Sequence, residues 1–198
     1  MSVNLVKGQK VELRKSDGGT LHRVVVGLGW DEAPKKGFFG FATREPDPID
    51  CDASAFLCTN GRLMRREDIV YFGNLSHISG SVRHMGDNLT GAGDGDDEQI
   101  AVDLDRVPAD CDKIVFVVNI YCASRRNQHF GMIRNAFIRI FDAETNQEIC
   151  KYNLSENYEG MTAMIFGEMY RNNGAWKFNA IGQATRDDNV ETLSARFR

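Results

Sequence analysis

The stretch KIVFVVNIY, residues 113–121, is the part of the sequence that decides the fold. Its apolar residues follow one another almost without interruption. A run of this kind is typical of a central strand whose two faces are both covered by protein. The stretch therefore predicts a sheet with other elements packed on each side of it.

Strand signals continue on both sides of this run. Near the N-terminus, apolar and polar residues alternate at 3–5 and 11–13 around Lys7-Gly8-Gln9, which predicts a hairpin or a bent pair of strands. Turns rich in Gly, Asn and Asp separate the other strand-length segments. These segments are residues 21–28, 50–59, 63–72, 100–104, 134–141, 148–154, 161–170 and 176–181.

Many short strands at this spacing predict an antiparallel β-sandwich with short helical elements at most. Residues 32–49 and the polar residues 74–85 are predicted to be loops. A helical ending is expected only within residues 187–198, where Val190, Leu193 and Phe197 recur at three- and four-residue spacing.

Length and composition predict one soluble domain spanning residues 1–198, with a polar tail at about 184–198. A chain of 198 residues is long enough for one well-buried core and short for two. The net charge of −4, without a basic stripe, argues against nucleic acid as a partner. The N-terminus lacks a signal-peptide core, and five cysteines form no Cys-x-x-Cys pair, so we expect a cytoplasmic protein with core-filling thiols.

Residues 86–98, GDNLTGAGDGDDE, carry the clearest functional signal. Five acids share this segment with four glycines and no Lys or Arg. Two carboxylates about 4 Å apart repel by ~4 kcal/mol at an effective dielectric constant near 20, so a compact loop of this composition favours a bound cation. The alternative is an acidic turn that is simply solvated. The candidate ligands here are Asp87, Asn88, Gly93, Asp94, Asp96, Asp97 and Glu98.

Calcium is the cation that fits this segment best. It takes six to eight oxygen ligands from carboxylates, carbonyls, amides and water, whereas Mg²⁺ demands a strict octahedron and Zn²⁺ prefers Cys and His. An EF-hand starting at Asp94 fails, because Gln99 stands at the glycine position and Asp105 at the final glutamate position. A phosphate-binding loop fails because no Gly-Lys-Ser/Thr follows.

A second group of acids precedes this segment. Asp50 and Asp52 stand at the start of a predicted strand, where alternate residues share a face. Loops of a sandwich gather at its two ends, so Asp31, Asp50, Asp52 and the acidic segment are expected to meet at one end.

Several blocks, in a fixed order along nearly the whole chain, match those of a known family. They are VGLGWD at 26–31, DCDASAF at 50–56, GDNLTG at 86–91, GDGDDE at 93–98, KIVFVV at 113–118, NAFIR at 135–139 and AMIFGE at 163–168. Through these blocks the sequence resembles the TerD family of tellurium-resistance and calcium-binding stress proteins. Where the family usually has an apolar residue such as Leu between the paired acids, this chain has Cys51.

The resemblance implies a sandwich similar to C2 domains that binds Ca²⁺, with two ions expected, in clustered acidic loops. It implies action through other proteins of a stress-response complex, including membrane-associated ones. The residues it marks as ligands are Asp31, Asp50, Asp52, Asp87, Asp94, Asp96, Asp97 and Glu98.

Two alternative functions remain open from the sequence. One is thiol-based handling of a metalloid, although Cys51 among carboxylates would be a poor nucleophile because its pKa is pushed up. The other is an enzyme, for which no Gly-x-Ser-x-Gly or His-Glu-x-x-His motif exists and the four histidines are scattered. We therefore expect a binding protein and not a catalyst.

Overall fold

The computed structural model describes residues 2–32, 48–86, 95–154 and 156–198. Asp87, Asn88, Gly93 and Asp94 and most of the loop predicted at 32–49 lie outside these ranges. The described chain forms two six-stranded sheets packed face to face, which confirms the predicted sandwich.

The first sheet has the strand order β1-β10-β9-β3-β7-β6, and all its neighbours are antiparallel except β1 and β10. Its central strands alternate between core and exterior, as Val24, Val26 and Leu28 show. The strands are β1 (Val3–Leu5), β3 (Arg23–Glu32), β6 (Val82–His84), β7 (Glu98–Asp103), β9 (Ile133–Asp142) and β10 (Glu148–Asn153).

The second sheet has the order β2-β12-β11-β8-β4-β5 and is antiparallel throughout. Its strand β8 contains the apolar run that decides the fold. The strands are β2 (Lys10–Glu12), β4 (Cys51–Thr59), β5 (Ile69–Val70), β8 (Cys111–Ile120), β11 (Ala163–Asn172) and β12 (Ala175–Thr185).

Strand β8 is covered on both faces, as its sequence predicts. Ile114, Phe116 and Val118 belong to the core between the sheets. Val115 and Val117 face the other way, into a second apolar cluster. The helical ending covers that outer cluster, because the short helices α2 (Val190–Ser194) and Ala195–Phe197 bring Leu193 and Phe197 onto it.

A short helix α1 (Ala123–Arg126) follows β8, and single 3₁₀ turns occupy Arg66–Asp68 and Phe130–Met132. Helix in the described chain is therefore confined to short pieces. This agrees with the expectation of short helical elements at most.

Three local predictions need correction. Strands β1 and β2 do not pair with each other, because the chain turns at Gly8 (φ +81°) and each strand completes a different sheet. Residues 63–72 are not one strand, since the Asp68 carboxylate binds the Arg65 backbone and side chain and closes a 3₁₀ turn there. Residues 74–85 are not all loop, because residues 82–84 pair with β7.

Candidate acidic site

The Asp96 carboxylate lies on the exterior of the first sheet, directly above Gly27. Gly27 pairs with Arg139 on one neighbouring strand and with Gln99 on the other. Both partners donate hydrogen bonds to Asp96: Arg139 through Nε (2.7 Å) and Nη2 (3.1 Å), and Gln99 through Nε2 (3.0 Å). A Cβ at residue 27 would overlap this carboxylate, so any other side chain there would displace Asp96 from its partners.

The next residue, Asp97, turns the other way. Its backbone N–H donates to the Leu28 carbonyl at 2.8 Å, and its Oδ2 accepts from the Trp30 backbone N–H at 2.7 Å. Burial raises the pKa of the Asp97 carboxyl, and the nearby charges of Asp31 and Asp96 raise it further, while the bond from Trp30 opposes them. The fold therefore disfavours the ionised form of Asp97 relative to its protonated form.

Glu98 joins the two sheets at this end. Its side chain is buried, and Oε2 accepts a hydrogen bond from the Ala53 backbone N–H of the second sheet at 2.5 Å. His84 on β6 places Nε2 3.5 Å from the same oxygen, and both side chains are only 1% exposed. The short β5 pairs only with Ala55 and Phe56 of β4, so the Ala53 N–H lies beyond that pairing and is open to the carboxylate.

Asp50 and Asp52 approach from the second sheet on either side of Cys51. Asp52 is 6% exposed, and Asp50 lies 3.9 Å from the Arg126 guanidinium. Burial raises the pKa of the Cys51 thiol well above its usual value, and Asp52, Glu98, Asp50 and Asp97 add to the shift in that order. Two of these acids are neighbours of Cys51 along the chain, and the other two, Asp97 and Glu98, lie where β7 begins.

Asp31 is set apart from this group. Its carboxylate is exposed and accepts a hydrogen bond from Asn135 Nδ2 at 2.7 Å. It is close enough to raise the pKa of Asp97 but is not among the acids that act on Cys51. The structure therefore places Asp31 beside the cluster and on the exterior of the first sheet.

Within the described ranges, no three His, Cys, Asp or Glu side chains are arranged to hold a metal ion. Asp96 is already bound by Arg139 and Gln99, which leaves Asp97, Glu98, Asp50 and Asp52 as the other buried or half-buried acids of the predicted set. Carboxylate oxygens are the donors that Ca²⁺ prefers, so the chemistry of this set fits that ion.

The whole chain matches a known family. The model of the TerD domain aligns with residues 1–197. The chain belongs to the TerD family.

Named relatives of this TerD chain come from several bacteria. It is 49% identical to stress response protein SCP2 of Bacillus subtilis (strain 168), and the match covers 100% of both chains. It is 48% identical to general stress protein 16U of the same organism, over 92% of this chain and 90% of the relative. It is 46% identical to tellurium resistance protein TerD of Alcaligenes sp, also over 92% and 90%.

Solved structures share the fold of this TerD chain. A homologue of telluride resistance protein TerD from Streptomyces coelicolor A3(2) superposes with a TM-score of 0.65 at 24% identity, over 90% of this chain and 99% of the other. A protein of unknown function, SAV2460, superposes with a TM-score of 0.66 at 22% identity, over 88% and 95%. These likenesses support the sandwich architecture and nothing further.

Sequence reasoning missed several residues that build the acidic end of this TerD domain. His84 falls in a segment predicted to be loop, yet it faces Glu98 inside the fold. Its only signal is the alternation with Val82, which is also buried. Gly27 on β3 and Arg139 on β9 both contact Asp96, which comes just before β7. No spacing along the chain reveals such contacts between distant strands.

The thiols of this TerD domain are free, and all but Cys122 are buried. Burial raises the pKa of Cys58 to about 12, of Cys111 to about 11 and of Cys150 to about 12. The expectation of core-filling thiols agrees with this placement. No helix in the described part of the chain is both long and apolar enough to cross a bilayer.

Proposed function

We propose that this protein is a cytoplasmic calcium-binding module of a bacterial stress-response system. The observation that carries the proposal is that the buried Glu98 of β7 accepts a hydrogen bond from the Ala53 backbone N–H of β4, next to Asp52, which brings acids of the two sheets to the same end of the sandwich. These acids come from both sheets, so an ion among them would hold the two sheets together. The names of two relatives, a stress response protein and a tellurium resistance protein, support that physiological setting.

The described acids are only part of the proposed ligand set. Asp87, Asn88, Gly93 and Asp94 belong to the same acidic segment and complete the set in this proposal. Asp31 is an outer ligand of the site. With two ions, one would bind among Asp50, Asp52, Asp97 and Glu98. The other would bind at the acids on the exterior of the first sheet, Asp31 and Asp96.

The ion acts through linkage between binding and folding. An ion that binds only the folded protein stabilises it by RT ln(1 + [Ca²⁺]/Kd), which is about 2.7 kcal/mol at a hundredfold excess over Kd. Ordering of the acidic end then completes a docking surface for other proteins of the stress-response complex, including membrane-associated ones. Partner capture from cell extract with calcium and with chelator tests this step, and equal capture would leave the ion a structural role only.

Titration calorimetry on chelator-stripped protein, with magnesium as competitor, tests calcium binding directly. We expect stoichiometric binding and, at a hundredfold excess of calcium, a melting temperature higher by about 5–10 °C for a chain of this size. If millimolar calcium neither binds nor raises the melting temperature, the acidic segment is a solvated turn and the proposal is wrong.

We propose no catalytic activity, although one group has the connectivity of a catalytic triad. His77 lies 2.7 Å from Ser79 Oγ through Nδ1 and 3.3 Å from Asp68 through Nε2. However, the Gly80 N–H already donates to the His77 carbonyl and the Ser81 N–H to Ser79 Oγ. These amides therefore offer no oxyanion site, which such a nucleophile requires. A fluorophosphonate probe is expected to leave Ser79 unlabelled.

Thiol-based metalloid handling is the alternative function. The buried thiols and their raised pKa values disfavour it, because the thiolate is the reactive form. Replacing the cysteines by serine in a host that depends on this protein for resistance tests it. Unchanged resistance would exclude the alternative.

A further inference from the structure

The imidazole of His84 lies between the two ends of the acidic segment, residues 86–98. His84 is the last residue of β6 and Glu98 is the first residue of β7, so the segment connects two paired strands. The Met85 N–H donates to the Gln99 carbonyl at 2.9 Å, which continues the pairing one residue past β6. A group that contacts both ends of this connection therefore fixes where it leaves the sheet and where it returns.

One ring nitrogen of His84 binds the first residue of the segment. The Gly86 backbone N–H donates to His84 Nδ1 at 3.2 Å. A backbone N–H can only donate, so Nδ1 accepts with its lone pair and carries no proton. The ring is therefore neutral, and its proton is on Nε2.

The other ring nitrogen faces the last residue of the segment. His84 Nε2 lies 3.5 Å from Glu98 Oε2, and each of these side chains is only 1% exposed. The same oxygen accepts the Ala53 backbone N–H from the opposite sheet. The Nε2–H hydrogen, which carries a partial positive charge, thus lies near a buried carboxylate oxygen. The low dielectric constant of a buried site strengthens the attraction between them.

These contacts of the two nitrogens decide what His84 can do with a metal ion. A histidine binds a metal through a ring nitrogen whose lone pair is available. The lone pair of Nδ1 accepts the Gly86 N–H, and Nε2 carries the proton on the side of Glu98. His84 therefore adds no nitrogen ligand, although it is a buried histidine beside predicted metal ligands.

We propose that His84 is a positioning residue that holds the two ends of the acidic segment and makes the site selective for cations that take oxygen ligands. The neutral imidazole orients Gly86 and Glu98, as groups around a metal ligand commonly do. It also withholds the nitrogen that Zn²⁺ prefers, so the site favours Ca²⁺. The selectivity rests on the proposed function. The bond to Gly86 and the position of the ring proton do not, so they are tested separately.

Nitrogen-15 NMR of the full chain in chelator tests the position of the ring proton. At neutral pH we expect His84 to show an unprotonated Nδ1 and a protonated Nε2. Titration with calcium and, separately, with zinc should leave both nitrogens in this state. A protonated Nδ1 in chelator, or zinc bound to either nitrogen, would overturn the proposal.

Two variants at position 84 separate the contacts of the two nitrogens. In His84→Asn the side-chain oxygen stands close to the place of Nδ1, so it still accepts from Gly86 but does not reach Glu98. In His84→Gln the longer amide reaches toward Glu98, and the acceptor for Gly86 is lost. We expect calcium to bind about fivefold more weakly to the Asn variant than to the Gln variant, the usual effect of one hydrogen bond. Hydrogen exchange of the Gly86 amide in chelator should be about fivefold faster in the Gln variant than in the Asn variant.

His77 supplies the matched control. Its Nδ1 also accepts from the backbone N–H two residues further on, that of Ser79 at 3.2 Å, and its Nε2 lies 3.3 Å from the buried Asp68 carboxylate. Its backbone N–H donates to the carbonyl of Val82, at the opposite end of β6 from the acidic segment. His77→Asn and His77→Gln should therefore leave both the calcium affinity and the exchange rate of the Gly86 amide unchanged.

The order of the two variants decides between positioning and packing. If His84→Asn and His84→Gln change both measurements equally, the imidazole only fills space and the proposal is wrong. Equal effects of the His77 variants would likewise assign the changes to general stability and overturn it. If calcium does not bind the parent protein, the proposed function fails, while the ring proton and the Gly86 exchange still decide whether His84 holds the two ends of the segment.

Discussion

The carboxylate of Asp96 occupies the space that a side chain on Gly27 would fill. The residues that flank Gly27 across the sheet, Arg139 and Gln99, bind this carboxylate in place of a side chain from residue 27. Asp96 is therefore anchored to the sheet exterior, and its anchoring fixes where Asp97 and Glu98 enter the fold. One acid of the segment positions the two that follow.

Gly27→Ala should expel Asp96 and destabilise the protein by about 2–4 kcal/mol, through overpacking and loss of the Arg139 partner. Urea unfolding in chelator measures this change. The matched control is Gly27→Ala in an Asp96→Ala background, where the methyl group has room and should change stability by less than about 1 kcal/mol. Equal losses in the two backgrounds would show that Asp96 is not what the methyl group meets.

The buried face of the C-terminal helix predicts a large stability contribution. Leu193 is fully buried in the outer cluster, so Leu193→Ala should cost about 2–5 kcal/mol. The control is Leu75→Ala, since Leu75 is 50% exposed and should change stability by less than about 0.5 kcal/mol. Chemical denaturation measures both variants, and similar effects would mean that the helical ending does not pack as described.

Asp97 predicts a dependence of stability on pH. Its pKa is raised by burial above the unfolded value near 3.8, so between the two values the folded state binds more protons. The contribution of Asp97 to the free energy of unfolding therefore increases as pH falls through its pKa in the folded state, and it decreases as pH rises. In chelator, Asp97→Asn should melt above the parent protein at pH 7, because the amide oxygen still accepts from Trp30.

The advantage of Asp97→Asn should shrink as pH falls toward 3.8, where Asp97 itself becomes protonated. Melting curves across this range check the prediction, and Asp110→Asn, at an exposed turn, controls for the substitution. A lower melting temperature for Asp97→Asn at neutral pH would mean that the ionised carboxylate stabilises the fold.

The paired acids predict opposite effects on ion binding and on the metal-free fold. Asp50→Asn with Asp52→Asn should weaken calcium binding at least tenfold, because two charged ligands become neutral. The metal-free protein should remain folded, since repulsion among the acids is relieved. Calorimetry and melting curves in chelator measure the two effects, with Asp105→Asn and Asp110→Asn, exposed acids outside the proposed ligand set, as the matched pair. Collapse of the metal-free double variant would contradict this account.

Much of the fold follows from local pattern. The apolar run of β8 and the spacing of Val190, Leu193 and Phe197 predicted a doubly covered strand and a helical ending, and both are confirmed. The wrong predictions concern segments whose structure depends on pairing with strands distant in sequence. The predicted hairpin around Gly8 separates because β10 and β12 each offer an open edge, and β6 exists because β7 pairs with it.

The sequence by itself determined the sandwich and predicted that acids would meet at one end of it, because composition and strand period are local properties of the chain. Only the tertiary structure decided what each acid does. Asp96 binds Arg139 across the sheet, Glu98 reaches Ala53 in the opposite sheet, and Asp31 turns outward to Asn135. Neighbouring carboxylates look alike in sequence, but burial and hydrogen-bond partners differ over a few ångströms, and those differences arise only when distant strands pack.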